Sequence, residues 1–147
     1  MSQSQNEILG QTGSRARRIL VVDDNADAAN SLGRLLNLSG YEVRVAHNGV
    51  TALGEVPQFR PRVVLLDLGM PGMDGLETAK QIRKLPDGTD LALIAVTGWG
   101  QDEDRQRTEK AGFIAHFVKP IKIAQLEALL SRITASAGNK VEQPSSA

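Results

Sequence analysis

Val63-Val64-Leu65-Leu66-Asp67-Leu68-Gly69 sets four aliphatic residues in a row directly before a carboxylate. An unbroken apolar run of this length has no polar face. It suits a strand covered on both sides, as in the middle of a parallel sheet. Two further runs share the pattern: Ile19-Leu20-Val21-Val22 before Asp23-Asp24, and Leu91-Ala92-Leu93-Ile94-Ala95-Val96 before Thr97-Gly98. Phe113-Ile114-Ala115-His116-Phe117-Val118 leads into Lys119-Pro120. Tyr41-Glu42-Val43-Arg44-Val45 alternates instead, which suits an edge strand with one more polar face.

Helical patterns fill the gaps. Ala28, Leu32, Leu35 and Leu36 share a face, closed by Ser39-Gly40. Val50 and Leu53 predict a short second helix that ends before Pro57. Leu76, Ala79 and Ile82 predict a third, ending near Pro86. Ile123, Leu126, Leu129, Leu130 and Ile133 predict a strong last helix just after Pro120. The stretch 101–110 is almost wholly polar. Its acidic start (Asp102, Glu103, Asp104) suits the helix dipole, but little anchors it to a core. Strands alternating with helices imply a parallel α/β sheet with right-handed crossovers and helices on both faces. Five such units imply the strand order 2-1-3-4-5 of a flavodoxin-like three-layer sandwich.

The chain has 147 residues, enough for one domain and too few for two of ordinary size. Residues 1–17 and 135–147 are polar and without periodicity and read as flexible tails around a domain at 18–134. Lys+Arg and Asp+Glu balance at 17 each, so no overall basic field draws nucleic acid or an anionic membrane to it. The absence of Cys excludes disulfides, thiolate metal sites and a Cys nucleophile. No apolar run approaches the roughly 20 residues of a membrane helix, and the N-terminus lacks the apolar core of a signal peptide. A cytoplasmic protein is expected. Aromatics make up only 3%, so the core must be aliphatic.

In such a sheet, ligands bind beyond the carboxyl ends of the strands, where the strand order reverses. Asp23, Asp24 and Asp67 meet there, with the Thr97 hydroxyl and the Lys119 ammonium close by. Three carboxylates in one place repel one another, so their pKa values rise or cations neutralise them. Lys119 supplies one positive charge. Mg²⁺, which takes one or two carboxylates and binds phosphate oxygens, would supply two more. Asp67 then has the surroundings of a carboxylate nucleophile for phosphoryl transfer. Each of these residues has a plainer reading taken alone: Asp23-Asp24 as a helix cap, Thr97 as a strand-end hydroxyl, Lys119 as a surface lysine, and Gly69, Gly72 and Gly75 as turn glycines. His47 reads as a loop residue.

Four segments in order, ILVVDDN (19–25), VVLLDLGMPGMDG (63–75), AVTGWG (95–100) and VKP (118–120), closely resemble the receiver domain of two-component response regulators. The resemblance covers roughly residues 18–134. It implies that Asp67 is the phosphoacceptor and that Asp23, Asp24 and the Gly69 backbone carbonyl join it in binding Mg²⁺. It further implies that Thr97 hydrogen-bonds the phosphoryl group, that Lys119 pairs with it, and that the Lys119-Pro120 peptide is cis. By the same resemblance Gly69 and Trp99 would line the path of the hydrolytic water, the alternative for Trp99 being a solvent-facing aromatic that docks a partner. Neither carries a group to activate that water, so slow loss of phosphate is expected. His116 departs from the pattern, for many relatives carry there a Tyr or Phe that moves on activation, and Phe117 is out of phase to replace it.

The resemblance implies a phosphorelay switch rather than an enzyme. Its phosphoryl donor would be a sensor histidine kinase or a histidine phosphotransfer protein. Its responding surface would comprise the stretch 101–110, the fifth strand and the last helix. A phosphohydrolase of the haloacid dehalogenase type also uses an Asp after a parallel strand, but needs a second Asp two residues on, where this chain has Gly69. A nucleotide-binding module would need a G-x-x-x-x-G-K-[ST] loop, which is missing. A docking module without phosphorylation would have lost one of the acids or the lysine, and all are present. Residues 135–147 are too few for a helix-turn-helix, so no DNA binding by this chain is expected. A stand-alone regulator and the receiver portion of a hybrid histidine kinase both fit.

Overall fold

The aliphatic runs pair into one sheet because each is apolar on both of its faces. The computed structural model describes residues 15–70, 75–98 and 108–138. Its strands are β1 (Arg18–Val22), β2 (Glu42–Ala46), β3 (Val63–Asp67), β4 (Ala92–Thr97) and β5 (Phe113–Val118). All pair in parallel, in the order β2-β1-β3-β4-β5. The crossovers carry α1 (Ala26–Leu38), α2 (Gly49–Phe59) and α3 (Gly75–Lys84), and α4 (Ile123–Gly138) follows β5.

Side chains that alternate along each strand feed two separate cores. Leu20, Val22, Val64, Leu66, Leu93 and Ala95 pack with Ala52 and Val56 of α2 and Ala79 and Ile82 of α3. Ile19, Val21, Val63, Leu65 and Ile94 pack on the opposite side with Ala29 and Leu36 of α1 and Leu126, Leu130 and Ile133 of α4. Each fully buried Leu or Ile contributes roughly 1.5–3 kcal/mol, so the sheet is held from both faces. Strand β2 lies at an edge, with Glu42 and Arg44 exposed, as its alternation predicts.

Several local expectations need correction. The buried face of α1 is Ala29, Gly33 and Leu36, while Leu35 is 45% exposed and Ala28 is exposed. Gly33 sets this rotation, because a Cβ there would already lie 3.3 Å from Val43 of β2. Helix α2 does not stop before Pro57 but continues to Phe59. A proline in the last turn removes one backbone hydrogen bond. Against that, Phe59 is buried under the guanidiniums of Arg18 and Arg44, 5.6 and 4.9 Å from its ring. Val50, expected on the inner face, is 69% exposed, and Ala52 and Val56 take that place. Order also extends past both expected domain boundaries. Arg17 donates to the Gly40 carbonyl at 2.8 Å and lies over the Tyr41 ring, and α4 runs to Gly138. Residues 108–110 are helical, whereas 101–107, most of the polar helix expected there, lie outside the described residues.

One guanidinium joins two connections at the sheet's amino end. Arg83 donates to the carbonyls of Gly88 (3.0 Å), Leu91 (2.8 Å) and Gly112 (3.0 Å). The planar fork serves these acceptors from two separate nitrogens, where an ammonium has only one. Arg83→Met is expected to lower the unfolding free energy in urea by about 2 kcal/mol, the worth of hydrogen bonds from a charged donor. Arg83→Lys should recover part of it. A loss for Arg83→Met below about 0.5 kcal/mol, the range of an ordinary surface change, contradicts this role.

Candidate functional site

Register brings the polar residues to one level. Val22 pairs with Leu66, so the next residues, Asp23 and Asp67, leave adjacent strands side by side. Asp67 pairs with Val96 and Thr97 with Val118, and the Lys119 N–H donates to the Thr97 carbonyl at 2.7 Å. One carboxylate oxygen each from Asp23, Asp24 and Asp67 lies within 4.8 Å of the others. Asp23, Asp67 and Thr97 are buried, while Asp24 faces solvent. Lys119 Nζ bridges the two buried acids, 3.0 Å from Asp23 and 3.2 Å from Asp67. The Lys119-Pro120 peptide is cis.

Backbone groups hold these acids in place. Asn25 donates its N–H to Asp23 Oδ1 at 2.9 Å, and its own side chain accepts from Ala28 N as the cap of α1. One residue thus fixes both the acid and the helix start. His47 Nδ1 sits 3.2 Å from the Asp23 carbonyl. This supporting place for His47 was not legible in sequence, since it depends on β2 lying beside β1. Gly69 donates its N–H to Asp67 Oδ1 at 2.9 Å, which places it in the turn directly beyond the acid. Gly75, the first residue of α3, has no room for a side chain: a Cβ would lie 2.6 Å from Leu68 Cα and 2.7 Å from the Asp67 carbonyl. Its glycine is required by this close approach of helix to loop, not only by a turn.

The cluster carries three negative groups against one positive. Burial pushes the Asp67 carboxyl above its ordinary value, and Asp23 adds to the rise, while the Gly69 N–H and Lys119 oppose it. Burial pulls the Lys119 ammonium down, but Asp23 and Asp67 together outweigh it, so its pKa is raised and it stays charged at neutral pH. An all-oxygen donor set, partly open to water at Asp24, fits a hard divalent cation such as Mg²⁺. Thr97 Oγ1 lies 2.9 Å from His116 Nε2. Trp99 lies outside the described residues.

The raised carboxyl gives a stability prediction. A folded-state pKa above the unfolded one means that the native state binds more protons, so stability falls as pH rises through the elevated value. Asp67→Asn removes this cost. It should raise the melting temperature of the metal-free protein at neutral pH by a few degrees, with the difference vanishing below the ordinary carboxylate range. Identical melting curves from acid to neutral pH contradict the assignment.

Comparisons with known proteins agree with this geometry. Residues 19–131 match the response regulator receiver domain family. The response regulator MprA of Mycobacterium tuberculosis is 40% identical over 118 residues, covering 80% of this chain and 49% of MprA. The chain therefore spans about half the length of that regulator. An uncharacterised 14.6 kDa protein of Leptolyngbya boryana is 37% identical over 114 residues, 78% of this chain and 87% of its own. Among solved structures, the chemotaxis protein CheY4 of Vibrio cholerae superposes with a TM-score of 0.75 at 28% identity, covering 79% of this chain and 97% of CheY4. The receiver domain of the sensor histidine kinase PA1611 of Pseudomonas aeruginosa, with magnesium coordinated in its active-site cleft, gives 0.74 at 29%, covering 82% and 98%. With the motifs in order, the strand order 2-1-3-4-5 and the acids and lysine at one sheet edge, the chain belongs to the receiver domains of two-component response regulators.

Proposed function

We propose that this receiver is a Mg²⁺-dependent phosphoacceptor switch, with Asp67 taking the phosphoryl group from a phosphohistidine of a sensor kinase or phosphotransfer protein. The observation that carries this reading is the Lys119 ammonium held between Asp23 and Asp67 within a cluster of three carboxylates. A carboxylate oxygen of Asp67 forms the new P–O bond as the partner's P–N bond breaks, and the electron pair leaves on the imidazole. Lys119 and the Thr97 hydroxyl then face the new charge on the phosphoryl oxygens. Mg²⁺, held by Asp23, Asp24, Asp67 and the Gly69 carbonyl, would offset the charge shared by carboxylate and phosphate.

The surroundings of the site support a protein donor. An apolar groove of about 530 Å³ runs along Ala28, Leu32 and Leu35 of α1 and faces Pro120, Ile121 and Ile123. Asp23 and Lys119 belong to its lining, so a helix lying in it would bring a phosphohistidine to Asp67. Gly69 offers only backbone where a phosphohydrolase would need a second carboxylate, which supports a switch rather than turnover. Among the described residues no helix is long and apolar enough to cross a membrane. The reading is that of a cytoplasmic partner of a kinase, with the stretch 101–110, β5 and α4 as its responding surface.

Incubation with Mg²⁺ and a small phosphodonor should add one phosphoryl equivalent, and Asp67→Asn should take none; equal labelling of the two contradicts the proposal. In thermal melts, Mg²⁺ at about a hundred times its dissociation constant should stabilise the wild type by about 2.7 kcal/mol. Asp24→Ala should show no such gain, and an undiminished shift removes Asp24 from the metal site. A Cβ at position 69 would lie 3.6 Å from Asp67 Oδ1, so a side chain there begins beside the acid. Gly69→Asn should place a water-orienting amide at that point and shorten the phosphate lifetime several-fold. A wild-type lifetime of seconds, unchanged in Gly69→Asn, counts against the expected water path, in which Trp99 would be the second boundary.

A further inference from the structure

The hydrogen bond between Thr97 Oγ1 and His116 Nε2 presents a question of proton supply. Ala95 pairs with His116 across β4 and β5, so Thr97, two residues on, shares its face as a diagonal neighbour. Thr97 is buried beside the acids, and His116 is half-buried one strand away. A hydroxyl has a single proton, and each imidazole nitrogen either donates or accepts. The bond at 2.9 Å can therefore run in either direction, from Oγ1–H to a bare Nε2 or from Nε2–H to Oγ1.

A phosphoryl group on Asp67 removes that choice. Its oxygens only accept, so Thr97 can serve them only by giving up its one proton in their direction. The Thr97–His116 bond then persists only if Nε2 carries a proton. We propose that His116 is a positioning residue that accepts the Thr97 proton in the resting protein and donates to Thr97 once Asp67 is phosphorylated. The reversal rests on the phosphoacceptor reading of Asp67 and deepens it. The proton that appears on Nε2 leaves Nδ1 in an exchange of tautomers, so the ring stays neutral and the state of the site reaches β5 as a relocated proton. Beside His116, a cavity of about 290 Å³ is lined by Thr108, Glu109, Phe113, Ile114 and Ala115, with Glu109 the other titratable group in its lining among the described residues. A hydrocarbon ring at position 116 could fill space there but could not reverse a hydrogen bond.

The chain holds two histidines, His47 and His116, so histidine-selective ¹⁵N labelling of the full-length protein gives a spectrum simple enough to read each ring nitrogen. His116→Phe assigns the signals by loss. Spectra are recorded without ligand and with Mg²⁺ and beryllofluoride, and a second, uniformly ¹⁵N-labelled sample supplies the Gly69 amide shift, which reports occupancy of the site. The expected result is that His116 Nε2 moves from the shift of a bare nitrogen to that of a proton-bearing one when beryllofluoride binds. Thr97→Ser, which keeps the hydroxyl, should retain that movement, and Thr97→Val, read at beryllofluoride concentrations high enough to saturate its weakened site, should lose it. An Nε2 whose protonation is the same with and without bound beryllofluoride overturns the proposal, as does an undiminished response in Thr97→Val. A Gly69 amide that never responds refutes the phosphoacceptor reading itself, and this inference with it.

Discussion

Three carboxylates at the ends of two neighbouring parallel strands repel one another, and one lysine holds the two buried ones together. That constraint organises the rest of the site. Asp23 and Asp67 are level because Val22 and Leu66 are in register. Both are buried, so neither can shed its charge into water. The raised carboxyl of Asp67 records the strain, and the raised ammonium of Lys119 records the answer to it. The backbone donors at Asn25 and Gly69 each serve the other oxygen of one acid and leave lone pairs for a cation. A cluster with this much uncompensated negative charge is prepared for cations and for the oxygens that travel with them.

The apolar sheet beneath is the frame that makes this repulsion tolerable. Side chains on both faces of β1, β3 and β4 fix the strands against sliding, since a one-residue slip would reverse every face. Two cores, one under α1 and α4 and one under α2 and α3, therefore hold the acids at a defined separation. Elements outside the cores have more latitude. The exposed Leu35 on α1 borders the groove beside the site, where a partner has more use for it than the core does.

Much of this was legible in the residues because burial leaves a plain mark. Val63–Leu66 has no polar face, so it had to be a central strand, and Asp67 had to emerge at the sheet's carboxyl edge. The helix faces were less legible. Leu35 and Val50 are as apolar as their buried neighbours, and their outward direction depends on contacts such as Gly33 against Val43. Pro57 marked a helix end that the packing of Phe59 overrides. The partnership of Thr97 with His116 was visible as two candidate residues but not as a contact. It depends on the β4–β5 register, which shifts between Leu93 and Ile94: Leu93 pairs with Phe113, and Ile94 with Ala115. A bulge of this kind leaves no mark in an apolar run.

The central claim is that this cluster directs a phosphoryl group to one carboxylate. Borohydride reduces an acyl phosphate to an alcohol, so it marks the phosphorylated acid permanently. Treating the chain with Mg²⁺ and a phosphodonor, then reducing and mapping its peptides by mass, should place the reduced residue at Asp67 and nowhere else, and only when Mg²⁺ is present. Reduction at Asp23 or Asp24, or an equal yield at Asp67 in the presence of chelator, would contradict the account.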